Sequence, residues 1–196
     1  MLEKDFYQQD ALTVARELVG CYLHRKVEDS ELVARVVETE AYLGPEDKAS
    51  HAYNNKRTER TEIMFEPGGY VYVYLIYGLH HCFNIVCGPK DSPEAVFIRA
   101  VEPINGLETM KENRDIKSSR IEELSNGPGK LTQALDIDKS FNGYDLIEGD
   151  RLYIREDNNK ENLEIVADKR VNIDYAKEYK DKPWRFYIKG NSFVSV

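Results

Sequence analysis

The sequence predicts an α+β protein: a single compact domain with a mostly antiparallel, bent β-sheet, peripheral helices and a protruding β-hairpin. Segments with strand-like patterns follow one another across short turns, as antiparallel strands do. Only three short segments have the pattern of helices lying against a core. The 196 residues are enough for one sizeable core, and neither a repeat nor a linker divides them. We therefore predict one domain over residues 1–196.

The predicted helices are residues 11–19, 106–114 and 127–135. Asp10 can cap the free amides of the first helix, and Gly20 ends it. Leu107 and Met110 place apolar side chains on one side of the second helix. Pro128 lies near the first turn of the third helix, where proline is tolerated.

The remaining patterned segments predict strands, and turns rich in glycine, proline or aspartate separate most of them. The predicted strands are residues 21–27, 32–42, 70–77, 81–87, 95–101, 151–155, 163–167 and 185–189. The first two are expected to pair across a turn at residues 28–30. Gly44 and Pro45 end the second strand, and residues 48–61 are expected to form a polar surface loop. The third and fourth strands are expected to pair around Gly78.

The composition is that of a globular protein with an excess of acidic residues. Hydrophobic residues make up 41% of the chain and charged residues 32%. The net charge of −8 argues mildly against nucleic-acid binding driven by overall charge. A nucleic-acid partner would need basic residues concentrated on one face. Thirteen tyrosines accompany a single tryptophan, and tyrosine suits half-buried walls and stacking surfaces.

Cysteine usage and hydropathy bear on cellular location. Cys21, Cys82 and Cys87 form no CxxC pair, so a disulfide framework is not expected. No apolar run approaches the roughly 18–20 residues that cross a bilayer. Residues 1–5 lack the basic-then-apolar pattern of a signal peptide. We therefore expect a cytoplasmic protein that does not associate with membranes.

Acidic and aromatic residues end the second predicted strand. Strict alternation over residues 32–42 puts Glu38, Glu40 and Tyr42 on one face with apolar side chains. A carboxylate held near apolar walls can act as a general base towards water, so Glu40 is a candidate catalytic residue. The alternative is a satisfied structural carboxylate. His51, in the following loop, is either bonded to backbone or part of the same site.

The third predicted strand carries four tyrosines. By alternation Tyr70, Tyr72 and Tyr74 share one face, and Tyr77 falls on the other. One interpretation is a core strand with tyrosines on its wetter side. The other is a stacking platform for a nucleic-acid base, which is worth about 1–3 kcal/mol per ring. Tyr77, beside Gly78 at the predicted hairpin tip, is a candidate for insertion into a partner.

Two further motifs carry weaker signals. His80 and His81 lie near two cysteines, but their spacing fits no usual zinc ligand set, and we predict no metal site. The segment NGPGK at residues 126–130 lacks the glycine spacing and the Ser/Thr of a nucleotide-binding loop. Lys130, at a helix N-terminus, remains a candidate contact for one phosphate of a nucleic-acid backbone.

Five segments spread over nearly the whole chain support a specific resemblance. They are ETEAYLGPED (38–47) through His51, YVYLIYG (72–78) through Asn84, RAVEP (99–103), SNGPGKL (125–131) and PWRFY (183–187). In these segments the chain resembles the alkyladenine (3-methyladenine or 3-methylpurine) DNA glycosylase family of mammalian type, which has many bacterial members.

The resemblance implies a monofunctional hydrolase of base excision repair. Glu40 would be the general base that activates water. Arg99 would help to hold that water, together with a main-chain oxygen near Val171. The enzyme would need no metal and no other cofactor. It would act as a monomer, associated with the nucleoid while at work, on double-stranded DNA that contains damaged purines.

The resemblance also implies how the base is bound. Tyr42, His51 and Tyr74 would enclose a base flipped out of the duplex. Asn84 would stand near position 2 of the purine, where it disfavours the amino group of guanine. Tyr77 would enter the minor groove and fill the gap left by the extruded nucleotide.

These roles lead to two expectations about geometry. Because the chain is acidic, we expect a basic face around Tyr77, formed by Lys56, Arg57, Arg60, Lys130 and Arg185. Because Tyr74 and Asn84 must both reach the base, we expect a three-residue hairpin tip, residues 78–80, which pairs Tyr74 directly with Asn84. A two-residue turn would place them on opposite faces.

Two other classes of protein are consistent with the residue patterns alone. One is a non-catalytic single-strand nucleic-acid-binding module that uses the tyrosines only for stacking. The other is a structural β-rich protein in which Glu40 is a satisfied buried carboxylate. Release of a damaged base by the wild type but not by Glu40→Gln distinguishes the glycosylase from both.

Overall fold

The computed structural model describes residues 1–28, 30–116, 119–157 and 160–195. Within them the helices are α1 (Lys4–Tyr7), α2 (Ala11–Leu18), α3 (Leu107–Arg114) and α4 (Pro128–Ala134). The strands are β1 (Tyr22–Val27), β2 (Ser30–Tyr42), β3 (Val71–Ile76), β4 (His80–Cys87), β5 (Glu94–Asn105), β6 (Leu152–Arg155), β7 (Ile165–Asp168) and β8 (Arg185–Ile188). Every predicted helix and strand is present, with ends shifted by a few residues. The predicted turn at residues 28–30 includes Asp29, which lies outside the described residues.

The strands of the described residues form one sheet in which each pair is antiparallel. The order is β3-β4-β5-β2-β1-β6, and β8 pairs with both β2 and β7. Strand β2 is central because β5 lies along one side of it while β1 and β8 share the other. The predicted α+β class with a mostly antiparallel sheet is confirmed.

A β-bulge separates the carboxylate end of β2 from its apolar beginning. The pairing of β2 with β5 shifts between Val36 and Glu38, and Val37 has no partner there. Val36 and Val37 are adjacent in sequence, yet both lie in the main core. The strict alternation expected over residues 32–42 is therefore interrupted, because a bulge adds one residue to one strand. Glu38 and Glu40 follow the interruption.

Helix α2 packs over the sheet and orients β2. Its N-terminus is capped as predicted, since the Asp10 carboxylate accepts amides two and three residues further on, at 3.0 Å each. Thr39 of β2 donates its hydroxyl to the carbonyl of Ala15 at 2.8 Å. Because successive side chains of a strand point to opposite faces, Glu38 and Glu40 point away from the helix.

The described residues also include the groups considered for redox or metal chemistry. Cys21, Cys82 and Cys87 are buried free thiols, and burial raises the pKa of each. No cluster of three or more His, Cys, Asp or Glu among the described residues could hold a metal ion. No helix in this part of the chain has the length and apolar character needed to span a membrane.

Candidate active site

Glu40 lies near the end of β2, with its side chain fully buried. Its Oε1 accepts the amide of Val171 at 2.7 Å, and its Oε2 accepts the Tyr42 hydroxyl at 2.8 Å. On β5, Nη1 of Arg99 lies 3.4 Å from Oε1. Groups from β2, from β5 and from the segment after β7 thus hold the carboxylate in one orientation.

Burial raises the pKa of the Glu40 carboxyl above its ordinary value, because the charged form loses its hydration. Arg99, the Val171 amide and the Tyr42 hydroxyl act in the opposite direction, since each stabilises the carboxylate. The resulting carboxylate binds a proton more readily than an exposed glutamate and is still firmly oriented. This combination suits a general base that takes a proton from water.

Glu38 forms ion pairs with both Arg99 and Arg185. Glu38 Oε1 lies 3.4 Å from Nε of Arg99 and 3.0 Å from Nη1 of Arg185. Its Oε2 accepts the amide of Ser195 at 2.7 Å. Arg185 is buried and also contacts Asp168 at 2.9 Å. The expectation that Arg185 joins a DNA-facing basic surface is therefore wrong, because the pairing of β8 with β2 places it in this internal network.

A pocket opens beside Glu40 and is walled largely by aromatic rings. It encloses about 380 Å³ of empty space, including its open mouth. Its lining residues are Tyr42, Ala49, Ser50, His51, Met64, Tyr72, Tyr74, Asn84, Ala95 and Tyr175. The structure thus brings together all the residues to which the sequence assigned base binding. Tyr42 belongs to the wall and also donates to Glu40, so it joins the pocket to the carboxylate.

His51 forms one side of the pocket. Its Nδ1 lies 2.9 Å from the Tyr72 hydroxyl, and its ring meets that of Tyr74 edge-on with centroids 4.7 Å apart. Nη2 of Arg60 lies 3.4 Å from its Nε2. Burial, reinforced by Arg60 and Lys56, lowers the pKa of His51 to about 4. The pocket therefore presents a neutral imidazole at pH 7.

The hairpin of β3 and β4 has a tip of odd length, as predicted, but in a different register. The tip consists of residues 77–79. Tyr74 lies opposite Cys82, and Asn84 lies opposite Tyr72. The predicted direct pairing of Tyr74 with Asn84 is therefore wrong by two residues. A shift of two keeps both side chains on one face, which is why both still line the pocket.

Tyr77 stands at this tip with 87% of its surface exposed. Its φ is +53° and that of Gly78 is +69°, so both residues are left-handed. Glycine adopts this conformation freely, whereas tyrosine does so at a cost. Because Tyr77 nevertheless adopts it, the tip begins one residue earlier than expected. Leu75 and Leu79 beside it are also exposed. The hairpin thus ends in exposed apolar side chains that lie outside the core. A residue that inserts into a partner needs this geometry.

The remaining basic residues expected around Tyr77 have different surroundings. Lys130 lies close to the hairpin, since a side chain at the adjoining Gly129 would meet His80 of β4. The Lys130 ammonium donates to Asn126 at 2.7 Å. Arg57, by contrast, is paired with two surface carboxylates. Arg185 is thus excluded from the expected basic face, and the charge of Arg57 is offset by its carboxylate partners. The placing of Lys56, Arg60 and Lys130 around Tyr77 stays a prediction.

A buried ion pair that the sequence did not indicate anchors the segment after β7. Arg170 donates to both oxygens of Asp47, at 2.5 and 2.9 Å, and both side chains are fully buried. Its guanidinium also lies between the rings of Tyr42 and Trp184, 4.6 and 4.9 Å from their centroids. Arg170 thus steadies the ring that donates to Glu40. No local pattern marks it, because it lies in a polar stretch far from its partners in sequence.

Tyr175 is a second residue that the sequence did not indicate. It lines the mouth of the pocket, yet 68% of its surface is exposed. It belongs to the 3-10 stretch Asp174–Asp181, where Ala176 packs with Ala49 of the loop after β2. An aromatic residue between two charged stretches was the available signal, and it is not a specific one.

The sheet, the buried carboxylate and the aromatic pocket together have the organisation of an enzyme that acts on a planar ring. The chain matches the methylpurine-DNA glycosylase family over residues 5–192. It belongs to this family of hydrolases that act on N-glycosyl bonds, which confirms the resemblance found in the sequence.

Relatives match over nearly their full length. A protein of Natranaerobius thermophilus is 59% identical over 100% of this chain and 98% of its own length. One of Desulfitobacterium hafniense is 52% identical over the same shares of the two chains, 100% and 98%. One of Borrelia garinii subsp. bavariensis is 50% identical over 99% of each. All three are named "Putative 3-methyladenine DNA glycosylase".

Proposed function

We propose that this protein is a monofunctional DNA glycosylase of base excision repair. It removes alkylated or deaminated purines, of the 3-methyladenine, hypoxanthine, ethenoadenine and 7-methylguanine class, from double-stranded DNA and leaves an abasic site. One observation carries the proposal: a buried, oriented carboxylate, Glu40, adjoins an aromatic pocket. No lysine is among the described residues lining that pocket, which favours water over an amine as the nucleophile.

The purine enters the pocket between the rings of Tyr42 and Tyr74. Extrusion from the duplex costs a few kcal/mol, and less for a damaged base that pairs poorly. Stacking offsets part of this cost, at about 1–3 kcal/mol per ring. Asn84 donates to the carbonyls of Tyr72 and Cys82 at 3.1 and 3.3 Å, which fixes the orientation of its amide in the pocket wall. In the proposed complex this amide stands near position 2 of the purine and disfavours the amino group of guanine.

Hydrolysis follows from the position of Glu40. The carboxylate takes a proton from a water molecule while the water oxygen bonds to C1′ of the sugar. The N-glycosidic bond breaks and its electron pair passes to the purine, so a cationic alkylated purine leaves as a neutral base. The negative charge of Glu40 also stabilises the positive charge that grows on the sugar. Arg99 and a main-chain oxygen near Val171 hold the water.

The hairpin and its neighbour α4 supply the DNA contacts. Tyr77 enters the minor groove and occupies the space of the extruded nucleotide. Lys130 contacts a backbone phosphate, as its position beside the hairpin allows. The protein acts as a cytoplasmic monomer at the nucleoid. The duplex, the flipped base and the water all meet on the side of β2 away from α2.

The decisive experiment compares wild type with Glu40→Gln on a duplex that contains a single hypoxanthine. Glutamine keeps the size of the side chain and an acceptor oxygen but cannot take a proton. We expect base release to slow by at least about 100-fold. The melting temperature should not fall, because glutamine removes a buried charge whose hydration was lost.

A matched control is Glu46→Gln, which makes the same charge change at an exposed position of the loop after β2. Its release rate should equal that of the wild type. Undiminished release by Glu40→Gln would contradict the proposed general base. Binding of DNA by the wild type without any base release would favour the non-catalytic binding module.

A further inference from the structure

Arg60 stands at the rim of the pocket and contacts two of its walls. Its guanidinium carbon lies 4.7 Å from the centroid of the Tyr74 ring, and Nη2 lies 3.4 Å from Nε2 of His51. Tyr74 lines both the pocket and a neighbouring groove, whereas Arg60 lines the groove. The guanidinium therefore adjoins two of the rings that line the pocket, those of Tyr74 and His51.

The charge of Arg60 lacks a partner of opposite sign. No carboxylate in the described part of the chain forms an ion pair with it, and its polar contacts are with the hydrogen-bonded pair of His51 and Tyr72. The other arginines near the pocket, Arg99 and Arg170, each face buried carboxylates. Arg60 is exposed, so water and salt screen its charge without cancelling it.

The same contact determines how His51 carries its proton. A guanidinium only donates hydrogen bonds, so Nε2 of His51 must accept. A neutral imidazole with an accepting Nε2 has its hydrogen on Nδ1, which then donates to the Tyr72 hydroxyl at 2.9 Å. Among the described residues, the charged and titratable groups facing His51 are Arg60, Lys56, Tyr72 and Tyr74. The two cations oppose a charged imidazole.

We infer that Arg60 is a positioning residue that sets the charge preference of the pocket. Acting through Tyr74 and His51, it disfavours purines that are already cationic and thereby favours neutral lesions. The inference rests on the proposed function. A cation in contact with the Tyr74 ring competes for the π-electrons that attract a cationic base, and it also repels that base directly. A neutral base such as hypoxanthine experiences neither effect.

The test measures single-turnover release of 7-methylguanine, which is cationic, and of hypoxanthine, which is neutral, from otherwise identical duplexes. In Arg60→Gln we expect the ratio of the two rates, cationic over neutral, to rise by about threefold to tenfold. Arg60→Lys keeps the charge and should stay close to the wild type. Raising the salt concentration should shrink the difference between Arg60→Gln and wild type, because the group is exposed.

Lys139→Gln is the matched control. Lys139 is an exposed cation that lines the same groove but not the pocket, so its loss changes the charge of the groove without touching Tyr74 or His51. The ratio of rates should not change in this variant. An unchanged ratio in Arg60→Gln, or an equal rise in Lys139→Gln, overturns the inference.

A second readout follows His51 directly. Titration of its imidazole by NMR should show a higher pKa in Arg60→Gln than in wild type and no change in Lys139→Gln. A residue with a merely structural role would leave this titration unmoved, and an unmoved titration counts against Arg60 as a positioning residue. If the wild type releases neither base, the proposed function fails and the inference fails with it. Release with an unchanged ratio overturns the inference alone.

Discussion

Tyr42 connects the aromatic pocket with the buried carboxylate, the two parts of the site to which we assign base binding and water activation. Its ring is part of the pocket wall, and its hydroxyl donates to Oε2 of Glu40 at 2.8 Å. Arg170 lies against the same ring. A change at Tyr42 can therefore alter the proton affinity of the carboxylate without altering the shape of the pocket.

We predict that Tyr42→Phe moves the acid limb of the pH–rate profile to higher pH. In the proposed mechanism base release needs ionised Glu40, so the rate should fall as the pH drops through the pKa of Glu40, which burial raises above its ordinary value. The Tyr42 hydroxyl lowers that pKa, so its removal raises the pKa further. Single-turnover release of hypoxanthine across the acid range measures both profiles.

Tyr74→Phe serves as the control for this shift. It also removes a hydroxyl from the pocket and keeps the ring, but the hydroxyl bonded to Glu40 is that of Tyr42 and not that of Tyr74. Its acid limb should coincide with that of the wild type. A Tyr42→Phe profile that superimposes on the wild-type profile would show that the hydroxyl does not tune the carboxylate.

At the scale of elements, the hairpin of β3 and β4 stores strain at its tip. Tyr77 has a φ of +53°, a left-handed conformation that costs a non-glycine residue roughly 1–2 kcal/mol. Its ring is exposed and contributes little packing to offset that cost. Strained residues persist where function requires them. The strain therefore supports a role for the ring outside the folded core.

Tyr77→Gly separates folding from DNA binding. We expect its free energy of unfolding to equal or slightly exceed that of the wild type, since relief of strain is offset in part by the greater entropy of glycine in the unfolded chain. We expect its affinity for lesion-containing duplex to fall by about tenfold, the loss of one stacked ring. Urea unfolding and fluorescence anisotropy measure the two quantities.

The comparison for Tyr77→Gly is Leu79→Ala, which shortens the other exposed apolar side chain of the tip. Its effect on affinity should be smaller, because leucine lacks an aromatic face. Marked destabilisation by Tyr77→Gly would contradict the strain argument. Undiminished affinity would contradict insertion of the ring into the duplex.

Local elements could be predicted from the sequence, and the register at the hairpin tip could not. The cap at Asp10 and the break at Gly20 depend on a few neighbouring residues, so α2 is found at its predicted place. The short helix α1 before it was not predicted. The tip depends on a left-handed Tyr77 next to a left-handed Gly78, whereas a sequence rule assigns this conformation to the glycine alone. The predicted pairing was consequently displaced by two residues.

Most supports of the site could not be predicted from residue patterns. Glu40, Arg99, the main chain near Val171 and the base-binding residues could be named only because the chain resembles a family. The hydrogen bond from Arg185 to Glu38 joins residues 147 positions apart in the sequence, and the bond from the Val171 amide to Glu40 joins residues 131 positions apart. Contacts of such separation leave no periodicity or spacing in the sequence. They exist because β8 pairs with β2 and the segment after β7 lies beside Glu40.

At the scale of the whole molecule, the Asp47–Arg170 pair joins the loop after β2 to the segment after β7. Both side chains are fully buried, and Arg170 also donates to the carbonyl of Ala41 at 2.9 Å. Asp47 in turn accepts the amide of Ala49 at 3.0 Å. Two distant stretches of chain that border the pocket are thereby held in one arrangement.

We predict that Arg170→Met lowers the free energy of unfolding by about 3–5 kcal/mol, because it leaves the Asp47 carboxylate buried and unpaired. The double variant with Asp47→Asn removes that stranded charge and should recover part of the loss. Urea denaturation measures both. Arg57→Met, which breaks an exposed ion pair with Glu62, should cost much less. Equal losses in the two single variants would contradict a special role for the buried pair.

The Glu40–Val171 hydrogen bond joins residues that are far apart in the sequence, and this separation has a consequence while the chain is being synthesised. The pocket residues from Tyr42 to Asn84 leave the ribosome well before residues 165–195, which complete the surroundings of Glu38 and Glu40. A domain generally folds as a unit, so the carboxylates gain their final orientation only after these last residues have emerged. Until then Glu38 lacks Arg185 and the amide of Ser195, and Glu40 lacks the amide of Val171. The catalytic arrangement that we propose is therefore completed by the end of the chain, when β8 pairs with β2.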